Sequence, residues 1–125
     1  ASPSLEQIKY LINTWYFKKS NFLKGKEELE ISKIVKQGLI SRLQEERRID
    51  IQNNIFKNIE TEIQNIKLIS QTSSRISVEV SLIYKEKILR KNGELINETI
   101  YPLKVRYILG FGNRKWKLVD YVSGV

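Results

Sequence analysis

Few side chains in this sequence are able to carry catalytic chemistry. The 125 residues include no cysteine and no histidine, which excludes thiol nucleophiles, imidazole acid–base catalysis and zinc sites built from these ligands. Asp50 and Asp120 are the aspartates, and the glutamates fall at positions predicted to face solvent. The run Gly110-Phe111-Gly112 precedes a predicted turn and strand, not a helix, so it does not fit a phosphate loop. The sequence therefore predicts a chain without catalytic, metal or cofactor sites.

Tyrosine, lysine and arginine side chains offer binding chemistry. Tyr84 and Tyr107 fall on the apolar faces of predicted strands, where a core tyrosine with a hydrogen-bonded hydroxyl is the alternative interpretation. The fork-shaped guanidinium of Arg106 suits a partner's carboxylate, although a solvated strand residue fits the same pattern. We predict that Lys19, Tyr101 and Arg106 lie near the mouth of a groove. The predicted partner-binding residues are Lys19, Tyr84, Tyr101, Arg106 and Tyr107.

A long antiparallel hairpin is predicted to organise the chain. Apolar and polar side chains alternate over residues 75–89 and again over 101–109, which is the pattern of half-buried strands. Asn92-Gly93 between them is typical of a tight turn, because both residues adopt positive φ readily. The pattern leaves open whether the strands pair from Ile96 or only from Ile100. One face of this hairpin is apolar and needs cover from the rest of the chain.

The N-terminal part of the chain predicts helices that cover this face. Ser4 and Gln7 have the spacing of a capping box, and an apolar stripe of helical period follows them. Trp15 lies in the middle of that stripe, so we expect it in the core. The predicted helices are residues 8–23, 27–36 and 39–48, separated by Gly25 and Gly38.

Residues 54–69 fit two patterns. Their density of β-branched isoleucine favours two strands, 54–59 and 62–69. The spacing of Phe56, Ile59, Ile63 and Ile66 is helical, so a single helix stays open as the alternative. The remaining predicted elements are a tight turn over residues 110–113 and a closing strand over residues 115–122.

Together these patterns predict one domain over residues 1–125. With 41% hydrophobic and 29% charged residues the composition is that of a globular domain, and no apolar run approaches the ~20 residues of a membrane span. The predicted fold class is α+β, with two or three N-terminal helices packed in a curved antiparallel sheet of four to five strands. This layout resembles the cone of Nuclear Transport Factor Two-like folds. Because the chain begins without methionine, we expect it to be a domain excised from a longer protein.

Several stretches carry a more specific resemblance. The segment Leu11–Lys19 contains the pattern L-I-x-x-W-x-x-x-K, and the closing segments contain V-R-Y and R-K-W-K-L-V-D. These resemble the C-terminal, intermembrane-space-type domain of the plastid-division protein Accumulation and Replication of Chloroplasts Six and of cyanobacterial ZipN-like proteins. The chain departs from the family at Leu43, where tryptophan is frequent, and around Ile55, where the family is richer in aromatics. The matching stretches are residues 11–19, 36–41, 63–68, 75–80, 103–107 and 114–120.

The resemblance implies a protein-interaction domain without catalytic activity. In the plant family member this domain holds the C-terminal tail of an outer-membrane division protein, and it lies beyond a single membrane span. The resemblance thus implies that the chain is the C-terminal piece of a longer, membrane-anchored protein and that it has a peptide-tail partner. It also implies a location in the periplasm or the plastid intermembrane space, with the cytoplasm as the alternative.

The residues themselves leave two other classes of function open. The net charge of +8 and the aromatics Tyr16, Phe111 and Tyr121 are compatible with a nucleic-acid-binding module, although the charge is dispersed along the chain. A small-ligand-binding cone is the second alternative, and it requires a deep cavity inside the sheet. We therefore predict a non-enzymatic protein-interaction module that binds a partner segment in the sheet groove, with no metal or cofactor.

Overall fold

Two helices and four strands make up the fold of the residues that the structure describes. The structure, a computed structural model, describes residues 2–26 and 30–124. Neither helix is long and apolar enough to cross a membrane in the part of the chain that is described. The helices are α1 (Leu5–Leu23) and α2 (Gln37–Gln52), and the strands are β1 (Phe56–Gln71), β2 (Arg75–Leu89), β3 (Leu95–Gly112) and β4 (Lys115–Ser123).

The four strands form one antiparallel sheet in the order β1-β2-β3-β4. Tyr84 of β2 lies opposite Tyr101 of β3, and Val78 lies opposite Tyr107. Strand β4 pairs with β3 only from Val105 onward, so no strand among the described residues neighbours the first half of β3 on that side. The sheet is therefore three strands wide at one end and four at the other.

Helix α1 packs its apolar stripe against the inner face of the sheet, and the side chains between the two form the core. Trp15 is 2% exposed, which confirms its predicted position. The capping box is confirmed as well, since the Gln7 amide donates to Ser4 Oγ at 3.1 Å and the Ser4 amide donates to Gln7 Oε1 at 2.7 Å. The buried strand residues that share one core cluster with α1 are Ile59, Ile76, Val78, Val80, Leu82, Tyr84, Val105, Tyr107, Leu109 and Leu118.

The second predicted helix, 27–36, is wrong where the structure describes it. Residues 27–29 lie outside the described residues, and the following segment forms a turn and then a single β-bridge at Val35. Leu118 of β4 holds this segment, because its amide donates to the Ile34 carbonyl at 2.8 Å and its carbonyl accepts from the Lys36 amide at 2.9 Å. Burial of Ile31 and Val35 explains why the segment is apolar without being helical.

The third predicted helix exists but is longer than expected. Helix α2 begins at Gln37 and ends at Gln52, four residues beyond Arg48. The sequence indicated that Gly38 breaks a helix, but Gly38 lies in the first turn of α2. The α+β fold class is confirmed with two helices and four strands, and one face of the curved sheet wraps the helices in a cone-like layout.

Residues 54–69 contribute to one long strand, so both the two-strand and the helix predictions are wrong. The pairing of β1 with β2 shifts between Ile63 and Asn65 and again between Leu68 and Ser70. Each shift changes the alternation of side chains between the two faces. Because the first shift lies between Ile63 and Ile66, these two side chains share the inner face with Ile59 although they are three residues apart. The resulting spacing of four and then three residues is what resembled a helix.

The two hairpin turns also differ in part from expectation. Strand β3 begins at Leu95, so the β2–β3 pairing extends past Ile96 to the turn. The β3–β4 turn is not residues 110–113 but Asn113-Arg114, both with positive φ. Gly110 lies inside β3, where an added Cβ would come within 2.8 Å of Arg75 Nη1.

Candidate functional site

A group of tyrosines lines the inner face of β2 and β3. Tyr84 and Tyr101 lie opposite each other with ring centroids 5.4 Å apart. Tyr107 donates its buried hydroxyl to the Tyr16 hydroxyl at 2.7 Å, and Tyr84 donates to Glu86 Oε1 at 2.9 Å. Tyr16, Tyr84 and Tyr107 are thus hydrogen-bonded core residues, whereas Tyr101 is 43% exposed at one end of a partly open surface.

Their environment makes these phenols poor proton donors to any substrate. Burial raises the pKa of Tyr16 to about 12, and the Tyr107 hydrogen bond only partly opposes this effect. Burial likewise raises the pKa of Tyr107 well above its usual value. Burial, with the Glu86 carboxylate beside it, raises the pKa of Tyr84. All three therefore stay protonated near neutral pH.

Lys19 reaches from α1 toward this tyrosine group. Its ammonium lies 5.7 Å from the centre of the Trp15 ring and 4.0 Å from Glu46 Oε1 of α2. Burial lowers the pKa of Lys19, whereas Glu46 and Glu86 oppose that change. The charge of Lys19 is therefore held between the two helices and the sheet.

An ion-pair network joins α2 to β1 beside Lys19. Lys57 Nζ lies 2.9 Å from Glu46 Oε2 and 3.3 Å from Asp50 Oδ1. Burial alone would lower the pKa of Lys57, but these two carboxylates raise it. Asp50 is only 2% exposed, its Oδ2 has no hydrogen-bond partner among the described residues, and burial raises its pKa.

A cleft of about 490 Å³ opens between α2 and the sheet above this network, and we call it the mouth cleft. Arg42 of α2 closes one side, with its guanidinium 4.7 Å from the centre of the Tyr121 ring and 2.6 Å from Asp120 Oδ1. Tyr121 in turn packs on Tyr107 and Trp15. The residues that line the mouth cleft are Arg42, Glu45, Glu46, Ile49, Asp50, Lys57 and Tyr121.

The first half of β3 presents an unpaired backbone edge next to the end of β4. The Lys104 carbonyl accepts from the Gly124 amide at 2.9 Å, so the backbone polar groups of Lys104 point toward β4. Because backbone direction alternates along a strand, Pro102, Ile100 and Glu98 point to the same open side. Ile100 is 64% exposed and Tyr101 is 43% exposed, and both values are high for large apolar side chains in a sheet.

Four of the five predicted site residues come together, and Arg106 does not. Lys19, Tyr84, Tyr101 and Tyr107 lie on the inner side of the sheet. Arg106 lies on the opposite face, since β3 turns Val105 and Tyr107 inward, and its guanidinium is 3.9 Å from Glu79 Oε2. The prediction that Arg106 lies at the mouth of the groove is wrong, because successive side chains of a strand point to opposite faces of the sheet.

The network residues Glu46, Asp50 and Lys57 were missed by the sequence analysis. Glu46 and Asp50 are four residues apart, which places them on one side of a helix. The early end predicted for this helix, at Arg48, left Asp50 outside it and hid that spacing. Among the residues that the structure describes, no group of three or more acidic side chains is arranged to hold a metal ion.

The inner space of the sheet and the predicted surface aromatics bear on the two alternative functions. A small-ligand site would need a deep cavity inside the cone. The side chains of Ile12, Trp15 and Tyr16 from α1 fill that interior instead. Tyr16, one of the aromatics proposed for stacking on nucleic acid, is buried, so its predicted surface position is wrong. Phe111 remains exposed and packs on Trp116.

Comparison with known proteins identifies the family. A search of curated proteins finds no match. The crystal structure of the intermembrane space region of the chloroplast protein ARC6 superposes with a TM-score of 0.78 over 98% of both chains, at 11% sequence identity. The beta subunit of benzoate 1,2-dioxygenase from Burkholderia mallei superposes with a TM-score of 0.63, over 98% of this chain and 91% of that chain, at 13% identity. A family model described as the ARC6-like, IMS (intermembrane-space) domain matches residues 9–119, and the chain therefore belongs to the ARC6-like IMS domain family.

Proposed function

We propose that this domain binds an extended segment of a partner protein, which pairs with the open edge of β3 and enters the mouth cleft. The observation that carries the proposal is the unpaired edge of β3 beside two exposed apolar side chains, Ile100 and Tyr101. An unpaired edge offers backbone donors and acceptors to an added strand. The family is compatible with the proposal, because it is named for ARC6, a plastid-division protein.

The surroundings of this edge favour a peptide over a small molecule. A strand added beside β3 lies in line with the end of β4, where Tyr121 forms a wall of the mouth cleft. Side chains of such a segment alternate between the inner side, at Tyr101, and the outer side, at Ile100. Pro102 lacks an amide and limits how many hydrogen bonds the edge can donate, which favours a short segment.

The roles of the predicted site residues follow from this arrangement. Tyr101 contacts the bound segment directly, and Tyr84 packs against Tyr101 from the core side. Tyr107 instead supports Tyr121 at the wall of the mouth cleft. Lys19 holds the Glu46 side of the mouth cleft. Arg106 lies on the other face of β3, so we expect the Arg106→Ala variant to bind a partner segment as the wild type does.

The proposal is tested with peptides selected from a random display library against the folded domain. We expect the selected peptides to shift the backbone amide NMR signals of Glu98, Ile100 and Tyr101. The Ile100→Pro variant removes one edge donor while the β2 side of β3 keeps its hydrogen bonds, and it should weaken binding by about tenfold. The matched Ile100→Ala variant keeps that donor and should lose less affinity.

Two results would refute this assignment. One is a set of peptides whose NMR footprints lie away from both the β3 edge and the mouth cleft. The other is equal affinity of the Ile100→Pro variant and the wild type in a titration, provided that both show the same folded spectrum.

A further inference from the structure

Four segments meet at the end of the molecule that carries the β2–β3 turn. Phe56, the first residue of β1, pairs with Leu89 at the end of β2, and Leu89 pairs with Leu95 at the start of β3. A Cβ on Gly25, just beyond α1, would lie 3.1 Å from the Phe56 ring. Helix α2 also ends here, since three residues separate it from β1. We call this region the basic end.

Basic side chains from three of these segments converge there. Arg47 stacks over the Phe56 ring at 4.7 Å, and its Nη2 lies 3.1 Å from the position of a Gly25 Cβ. A hollow of about 180 Å³ between α1 and the β2–β3 turn has Phe56 and Leu89 among its lining residues. Glu94, in the same turn, is 4.0 Å from Arg90. The cations of the basic end are Lys24, Lys26, Arg47, Arg90 and Lys91.

Exposed aliphatic side chains accompany these cations. Ile51 of α2 and Leu95 and Ile96 of β3 are all exposed at this end. The aromatic ring of the basic end, Phe56, already carries the Arg47 guanidinium on one face and lies against Gly25, which makes it a poor platform for a nucleic-acid base. Cations beside exposed aliphatic groups are instead the combination that binds an anionic lipid surface, by attraction to headgroups and by shallow insertion.

We propose that the basic end docks onto a bilayer surface that carries anionic lipids. A headgroup phosphate occupies the hollow lined by Lys24, Lys26, Arg90 and Lys91, and the exposed aliphatic side chains meet the boundary of the acyl chains. This site is separate from the β3 edge and the mouth cleft, so the proposal of lipid binding does not depend on the proposed peptide binding.

The test measures co-sedimentation of the full chain with two kinds of vesicle, phosphatidylcholine alone and phosphatidylcholine containing phosphatidylserine. We expect binding to the second kind only, and weaker binding as salt is raised. The double variant Arg90→Gln/Lys91→Gln should lose about fivefold in affinity per removed cation. The matched control, Arg114→Gln/Lys115→Gln, removes the same charge from the β3–β4 turn at the other end and should lose less than about twofold.

A second variant separates insertion from charge. The Ile51→Gln substitution leaves the net charge unchanged, and glutamine is a good helix former. This variant should bind the vesicles more weakly at high salt as well as at low salt. The proposal is overturned if the wild type does not sediment with phosphatidylserine vesicles while it binds a single-stranded oligonucleotide. It is also overturned if the two double variants, both folded by circular dichroism, lose equal affinity, because net charge alone would then explain binding.

Discussion

Asp50 shows how one side chain joins the two layers of this domain at a cost. It is buried at the end of α2, and Lys57 of β1 balances its charge at 3.3 Å. Only one of its carboxylate oxygens has a partner among the described residues. Because an unpaired buried charge is costly, the Lys57 pair must offset that penalty for the site to remain ionised.

The pH dependence of stability follows from this environment. Burial raises the pKa of Asp50 in the folded chain above its unfolded value, so its stabilising contribution is present at low pH. That contribution is lost as the pH rises through the folded pKa. The Asp50→Asn variant does not titrate, so its free energy of unfolding should rise relative to the wild type between about pH 3 and pH 7.

Urea unfolding of both proteins across this range measures the difference. Other carboxylates titrate in both chains, so the difference between the two curves isolates Asp50 and its coupling to Lys57. A difference that stays flat, or that falls as the pH rises, would show that the Lys57 ion pair outweighs burial.

Side-chain patterns predicted the core more reliably than the groove. Trp15 was assigned correctly from helical spacing, which does not depend on what surrounds the helix. Arg106 was placed at the mouth of the groove although its neighbours Val105 and Tyr107 already formed the apolar face. The network of Glu46 and Lys57 was not predictable, because it depends on which strand faces α2.

At the scale of elements, irregular pairing limits what a sequence period can indicate. The register shift between Ile63 and Asn65 in β1 gives three isoleucines a helical spacing on a strand. The segment before α2 is apolar because it bridges to Leu118, a contact with a strand more than eighty residues later. Long-range contacts of this kind leave no local period. The hairpin of β2 and β3, which alternates regularly, was predicted well.

Two glycines test the corrected boundaries of the helices. Gly38 lies in the first turn of α2 with no heavy atom within 4 Å of an added Cβ, so Gly38→Ala should stabilise the fold by about 0.5 kcal/mol. Gly25 has a φ of +76° and lies against the Phe56 ring, so Gly25→Ala should destabilise it by about 1–2 kcal/mol.

Thermal and urea unfolding of the two variants give the comparison directly. A destabilising effect of Gly38→Ala would mean that this glycine ends a helix, as its position in the sequence first indicated. Because both variants add a single methyl group, the difference in sign reports backbone conformation and local space.

At the scale of the whole molecule, the sheet is longer than the helices that cover it. Residues 105–110 of β3 lie between β2 and β4, and their inward side chains are buried under α1. Within the described parts of the chain, residues 95–102 have a neighbouring strand on one side only, and they are exposed along their whole length. The family resemblance predicted from the sequence is confirmed, whereas this asymmetry between the two halves of β3 became visible only in the fold.

Hydrogen exchange should resolve the two halves of this strand. The amides of Asn97, Thr99 and Tyr101 point toward β2, as do those of Val105 and Tyr107, so each set has comparable hydrogen bonds. With few buried contacts around it, the first set should exchange by local opening at a much lower free energy than the second. Adding a bound peptide selected against the domain should slow the first set specifically, because a strand at the open edge closes the route by which these hydrogen bonds reach water. Equal protection of both sets in the free domain would mean that the uncovered half of the sheet is as stable as the core.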